Sequence, residues 1–217
     1  KFSNHSLHTF VVKGESTSAP EWYVPYQGQK LQGDVLLSQI QIWENANQMQ
    51  FFPLAVNLSA IQFEHKHLFS ILENLFSRYE IKNDHLMIEI TESTAMHNID
   101  TSLRSFLRLR QMGIKLAIDD FGTGHSSFLY LKQLPVDELK IDRAFIKDLE
   151  QNSKDELILE SIVTLATNLG LTVTVEGVET KFQKDVLKHL GCQQLQGFLL
   201  GKPMPIEELE KRHSQLY

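Results

Sequence analysis

The nine residues LAIDDFGTG, positions 116 to 124, run from a short apolar stretch into two adjacent carboxylates, Asp119 and Asp120, and then into a loop with two glycines. Carboxylates at the end of a buried strand are costly unless something positive meets them. Similar junctions recur along the chain. QMGIKLAIDD (111–120), NLGLTVTVEG (168–177) and HLGCQQLQG (189–197) each place a glycine, Gly113, Gly170 or Gly191, where a helix C-terminus favours a left-handed residue. A short strand follows each glycine.

Working outward, the candidate strands are Trp22–Gln27, Phe52–Asn57, Leu86–Thr91, Lys115–Asp120, Leu139–Asp142, Thr172–Glu176 and Gln193–Phe198. The stretches between them carry helical periodicity: Leu103, Phe106, Leu107 and Leu109 form one stripe, and Leu157, Ile158, Ile162, Leu165 and Ala166 another. Alternating strands and helices argue for a parallel α/β fold, either doubly wound or a (β/α)8 barrel. The polar residues decide between these. Asn57, Glu89, Asp119 with Asp120, Lys140, Glu176 and Gln196 each lie near the C-terminal end of a strand. An open sheet gathers ligand groups at one switch point, whereas a barrel brings every strand end around one mouth. The barrel is the expected fold.

Around such a mouth Glu89, Asp119, Asp120 and Glu176 repel one another, so a cation is expected among them. Mg²⁺ or Mn²⁺ takes carboxylate and amide oxygens, and Asn57 supplies the amide. Two such ions form the clamp used in phosphodiester hydrolysis. Adjacent Asp119 and Asp120 suit this if successive strand side chains point opposite ways and address different metals. Taken singly, each signal has a plainer role. The Asp pair serves equally as a helix N-cap, Lys140 as a solvated lysine, and Glu176 and Glu179 as the acidic start of a helix. Lys140, alternating with Leu139 and Ile141, shares a face with Asp142. His65 and His67 open an amphipathic helix about 200° apart, which makes them surface residues rather than a metal pair. Cys192 reads as a core residue rather than a nucleophile.

The 217 residues, 42% hydrophobic and 22% charged, fit one domain with a sizeable core. A net charge of −6 with no Lys/Arg run longer than two residues argues against a nucleic-acid face and a polybasic membrane patch. A single cysteine excludes an intrachain disulfide and fits a reducing, cytoplasmic setting. No apolar run approaches the roughly 20 residues of a membrane span. Residues 1–20 read as a linker or fusion junction, with the folded domain over 21–217 and a sensor or membrane domain upstream.

AVNLSAIQF (55–63), IEITES (88–93), IDDFGTGHSSFLYLKQLPVDELKIDRAFI (118–146), TVEGVET (174–180) and QGFLLGKPMP (196–205) closely resemble the EAL domain, the bacterial cyclic di-GMP phosphodiesterase family. The resemblance runs from about Leu31 to the C-terminus, with WYVPYQ near the start. It implies a modified TIM barrel that uses two Mg²⁺ or Mn²⁺ ions to cut cyclic di-GMP to linear pGpG. By the same resemblance Asn57, Glu89, Asp119, Asp120 and Glu176 are metal-site residues. Lys140 holds or deprotonates the attacking water, and Gln196 positions water or substrate. Glu92 and Glu179 hold the DFGTG loop, while Gln27, Gln196, Lys202 and Pro203 are substrate-binding. A homodimer is implied through His125 to Gln133, where Phe128, Leu129, Tyr130 and Leu131 offer an apolar surface.

One departure stands out. The family's Glu-Ala-Leu motif, whose glutamate is a metal ligand, has no counterpart here. Asp34-Val35-Leu36 imitates it, but GDVLLSQIQIW reads as the helix before FFPLAVN. A barrel that loses a strand opens an edge and a gap in its core. The expectation is therefore a modified TIM barrel with one strand absent from this sequence. The natural protein would then hold a further segment of about 30 or more residues between about Gln27 and Leu31, one βαβ-type unit carrying that glutamate. A true deletion would favour a degenerate domain that binds cyclic di-GMP as a receptor without cutting it. A purely structural dimerisation module would bind none.

Overall fold

The computed structural model describes residues 32–47, 53–122, 128–149 and 153–214. The expected strand Trp22–Gln27, the linker over 1–20 and the loop residues 123–127 lie outside the described residues, as does the join near Gln27 to Leu31.

The chain order is α1 (Gln32–Asn45), β1 (Leu54–Asn57), α2 (Ala60–Phe63), α3 (Leu68–Tyr79), β2 (Leu86–Thr91), α4 (Glu92–His97), α5 (Ile99–Gln111) and β3 (Lys115–Phe121). It continues through α6 (Phe128–Leu131), β4 (Glu138–Ile141), α7 (Lys154–Asn168), β5 (Thr172–Val175), α8 (Lys181–His189), β6 (Gln194–Leu195) and α9 (Ile206–Ser214). The six strands pair in parallel and in chain order, β1-β2-β3-β4-β5-β6. A doubly wound sheet would reverse direction at a switch point. A singly wound sheet whose polar faces reach one another is a barrel wall, and the fold is that of a modified TIM barrel. Lys140 on β4 contacts Glu89 on β2 at 2.8 Å across the intervening β3, which fits a wall that curls toward its inward face. Flat strands two apart would separate those backbones by roughly 9–10 Å.

Period-two alternation divides the strand residues between two environments. Leu86, Ile88, Ile90, Leu116, Ile118, Leu139, Ile141, Val173 and Val175 point outward and are buried in the main core with Leu72, Phe106, Leu109, Ile162 and Val163. Ala55, Met87 and Ala117 form a separate small cluster on the inward face. Gly113, Gly170 and Gly191 have φ of 84°, 81° and 85°, the left-handed helix endings expected from the sequence.

The helical stripes need correction. Leu107 is exposed, as are Leu157 and Ile158, and α7 uses Leu159, Ile162, Val163 and Ala166 as its core face. Alternative stripes one residue apart carry similar apolar content in α7, so packing rather than periodicity selects the buried one. Leu131, expected on a dimer surface, is 2% exposed and belongs to the core. His65 and His67 do not open a helix on opposite sides. They lie in the turn before α3 with ring centroids 5.7 Å apart, and the His67 backbone N–H donates to His65 Nδ1. No helix among the described residues is long and apolar enough to cross a membrane.

α1 confirms the reading of GDVLLSQIQIW as a helix. It is tied down by Glu44, whose carboxylate accepts from the Lys82 backbone N–H and pairs with the buried His85 at 2.7 Å. Trp43 Nε1–H donates to Glu210 on α9.

Candidate active site at the strand ends

The wall brings Glu89, Asp119, Asp120, Lys140 and Glu176 to one mouth. Lys140 sits at the centre. Its Nζ lies 2.6 Å from Glu176 Oε1, 2.8 Å from Glu89 Oε1 and 3.4 Å from Asp119 Oδ1. Lys140 is 1% exposed and Glu89 is fully buried, so these ions are held away from bulk water. Burial works against the lysine's charge, but Glu89, Asp119 and Glu176 outweigh it and hold the ammonium above the usual lysine range. The positive charge expected among the carboxylates is thus supplied in part by the chain itself. Asp142, two residues past Lys140 and just beyond β4, caps the following turn through Oδ1, accepting from the Ala144 N–H, and its charge reaches Asp120.

Asp119 and Asp120 do not simply alternate. Asp120 adopts φ 54°, a left-handed backbone, and the β3–β4 register shifts between Ile118 and Phe121. This local break replaces strict alternation and brings Asp120 into the field of the same mouth. Burial raises its carboxyl above the ordinary aspartate value, and Asp119, Asp142 and Glu176 add repulsion that Lys140 opposes. The Asp120 backbone N–H donates to Asp119 Oδ1 at 3.0 Å.

Among the described residues no three His, Cys, Asp or Glu side chains converge ready to hold a metal ion. Lys140 occupies the space between the acids. Buried polar atoms nevertheless lack donors there: Glu89 Oε2 and Gln196 Oε1 have no hydrogen-bond partner. The unsatisfied Glu89 oxygen, beside the Asp119 and Glu176 carboxylates, fits a hard divalent cation by donor type. Asn57, opposite Glu89 in the β1–β2 register, is exposed at the end of β1.

Glu89 carries the site's clearest pH signature. Burial pushes its carboxyl from 4.5 up to about 7, against the pull of Lys140 and with repulsion from Asp119 and Glu176. A raised folded value means the folded protein binds this proton more tightly than the unfolded chain does. The stabilisation is complete below the unfolded value and is lost as pH rises through about 7. In the metal-free protein, this group should lower the unfolding free energy by about 3 kcal/mol between pH 4.5 and 7.5. Urea titrations across that range check the sign, and a stability that rises steadily would contradict it.

Glu92 is 1% exposed, and its Oε2 accepts from the Gly122 backbone N–H where the DFGTG loop begins. Gly122 has φ 97°, and a Cβ there would run into the Phe145 ring. Gly122→Ala should therefore destabilise the domain by roughly 1–3 kcal/mol, read as a fall in the thermal midpoint; an unchanged midpoint would show that Phe145 yields freely. Glu179 is exposed and its backbone N–H donates to Gln183 Oε1, while the loop residues it would hold lie outside the described residues. Lys202 and Pro203 are exposed beyond β6, and Gln27 lies outside the described residues. Cys192 is partly buried, with its thiol pushed by burial up to about 12, which makes it inert near neutral pH.

The EAL domain family profile matches residues 31–203. The chain belongs to the EAL domain family. This EAL domain is 48% identical over 176 residues to a bifunctional diguanylate cyclase/cyclic di-GMP phosphodiesterase, MucR, of Pseudomonas aeruginosa, covering 81% of this chain and 26% of that protein. The match therefore spans about a quarter of that relative's length. The solved structure of the PaMucR phosphodiesterase in complex with c-di-GMP has TM-score 0.76 and 47% identity, covering 82% of this EAL domain and 76% of that chain. Klebsiella pneumoniae BlrP1 in a manganese and cy-diGMP complex has TM-score 0.67 and 28% identity, with coverage of 77% and 43%.

Sequence reasoning missed two features of the EAL domain. Phe198 is 60% exposed just beyond Gln196, with Lys202 Nζ 5.6 Å from its ring centre. Glu138 and Thr174 are buried inside the wall. The signal for both buried residues was a polar side chain at every second strand position, which the search for strand-end residues passed over.

Proposed function

We propose that this EAL domain hydrolyses cyclic di-GMP to linear pGpG at the mouth formed by Asn57, Glu89, Asp119, Asp120, Lys140, Glu176 and Gln196. The observation that carries the proposal is the buried convergence of Glu89, Asp119 and Glu176 on Lys140, with unsatisfied oxygens on Glu89 and Gln196. The relatives named as cyclic di-GMP phosphodiesterases support the substrate class.

Asn57, Glu89, Asp119, Asp120 and Glu176 would hold two Mg²⁺ or Mn²⁺ ions, which when bound neutralise phosphate charge and lower the pKa of water. The chain's own groups set the rest. Lys140, ringed by Glu89, Asp119 and Glu176, is placed to hold the attacking water by donating a hydrogen bond to it. Glu176, whose side chain is 22% exposed and the most open of the three acids, accepts the proton. The water oxygen attacks phosphorus as the P–O3′ bond breaks, and the proton that Glu176 took from the water passes to the leaving 3′ oxygen, which returns Glu176 to its carboxylate form. Gln196 orients water or phosphate, Gln27, Lys202 and Pro203 contact substrate, and the exposed Phe198 face offers a stacking surface for guanine. Glu92 and Glu179 support the DFGTG loop, and a homodimer forms through the segment around Tyr130. In the cell the domain works in the cytoplasm, downstream of a sensor or membrane domain.

The absent Glu-Ala-Leu glutamate favours a second reading, a receptor that binds cyclic di-GMP without cutting it. Equilibrium dialysis with cyclic di-GMP, first in EDTA and then with Mn²⁺, separates the two. Binding that gives way to product supports the enzyme, retained intact ligand supports the receptor, and no binding in either condition contradicts both.

A further inference from the structure

Beneath the mouth lies a second polar layer that the proposed reaction does not use. Glu138, Thr174 and Gln194 stand two residues before Lys140, Glu176 and Gln196 on β4, β5 and β6, so each shares its partner's barrel face one level lower. Glu138 is 3% exposed and Thr174 is fully buried. Thr174 Oγ1 lies 2.5 Å from Glu138 Oε1 and 3.0 Å from the Gln194 side-chain amide. One hydroxyl proton cannot serve two acceptors. Two arrangements satisfy the chain: a protonated Glu138 donates to Thr174, whose hydroxyl donates to Gln194 Oε1, or the Gln194 amide turns so that its NH₂ donates to Thr174, whose hydroxyl donates to Glu138.

This chain of bonds crosses the weakest part of the wall. β6 has two residues, paired to β5 through Thr174↔Gln194 and Val175↔Leu195. So short a strand defines its own register poorly. Gln196 follows it directly and is held by its backbone N–H to Val175 O and by Val178 N–H to its own carbonyl. Neither bond fixes its side chain. On the other side, Lys140 and Thr174 are paired in register across β4 and β5. Burial raises the Glu138 carboxyl above the usual range while the Thr174 hydrogen bond counters it, so the network also keeps a buried acid satisfied.

We infer that Glu138, Thr174 and Gln194 form a positioning layer that sets the height and register of Lys140, Glu176 and Gln196 relative to one another. Its effect on catalysis rests on the phosphodiesterase reading, whereas its effect on geometry does not. Thr174→Val keeps the branched shape and removes the hydroxyl. Its expected effect is a fall of about 10–100-fold in kcat with KM within about threefold, largely recovered in Thr174→Ser. Its crystal structure should show the 2.6 Å Lys140–Glu176 contact lengthened and Gln196 displaced. A purely structural role would lower the thermal midpoint without the kcat-against-KM split or the serine rescue. Should Thr174→Val fail to fold, Glu138→Gln, which preserves volume and weakens the same chain, carries the comparison with an expected loss of about tenfold. Wild-type kcat in the folded variant, or an unmoved Lys140–Glu176 contact and Gln196, overturns the layer. If the wild-type protein cuts nothing, the phosphodiesterase reading fails by itself, and the variant's crystal structure alone decides the layer.

Discussion

Asp119→Asn and Asp120→Asn should each lower cyclic di-GMP turnover by about 10³-fold or more while the folded barrel stays intact. Each substitution removes one negative charge from a mouth whose proposed work is to hold divalent cations, and such cations supply several kcal/mol of transition-state stabilisation. Neither removes an apolar contact. Asp119 is 8% exposed at the end of β3, and Asn preserves its shape and one acceptor oxygen. Asp120 sits at φ 54°, a conformation that Asn tolerates as well as Asp. Steady-state turnover with Mn²⁺, alongside circular dichroism and a melting curve, measures both halves. Turnover within tenfold of wild type in both variants would remove these aspartates from the site.

Lys140→Met should reduce kcat by about 10²–10⁴-fold with little change in KM, because a group that holds the attacking water acts mainly in the transition state. It should also destabilise the metal-free protein by about 3–5 kcal/mol near pH 8, since Glu89, Asp119 and Glu176 would then face one another without their ammonium. The sign of the pH dependence follows from Glu89. Lys140 lowers the Glu89 pKa, so its removal drives that value above about 7. The stability deficit should therefore shrink as pH falls and Glu89 takes up its proton. A rise in KM with unchanged kcat would instead assign Lys140 to substrate binding, and a deficit that grows on acidification would contradict the ion-pair account.

The wall itself was legible because its strands alternate. Leu86, Ile88 and Ile90 face the helices while Glu89 faces the mouth, and that contrast is visible without coordinates. Apolar alternation placed β2 at Leu86–Thr91 without error, and Gly113 marked the approach to β3, which ended one residue later than expected. Two kinds of information were not local. The left-handed backbone at Asp120 arises from how β3 meets β4, and nothing in the sequence around the Asp pair announces the register shift. Lys140's partners on β2, on β3 and just past β5 come together through pairing between strands far apart in the chain, so a residue read as touching water proved first to be the counter-ion of three acids. Leu107, Leu157 and Ile158 failed for a different reason: apolar residues on a helix leave its buried face undetermined until the neighbours are placed.

The central claim, that this mouth directs water onto a phosphodiester, is tested most directly by turnover of cyclic di-GMP in ¹⁸O-enriched water with Mn²⁺, followed by mass spectrometry of the products. The account predicts linear pGpG carrying a single ¹⁸O on its terminal phosphate, with formation abolished by EDTA. Intact cyclic di-GMP after prolonged incubation with stoichiometric protein and Mn²⁺ would contradict it.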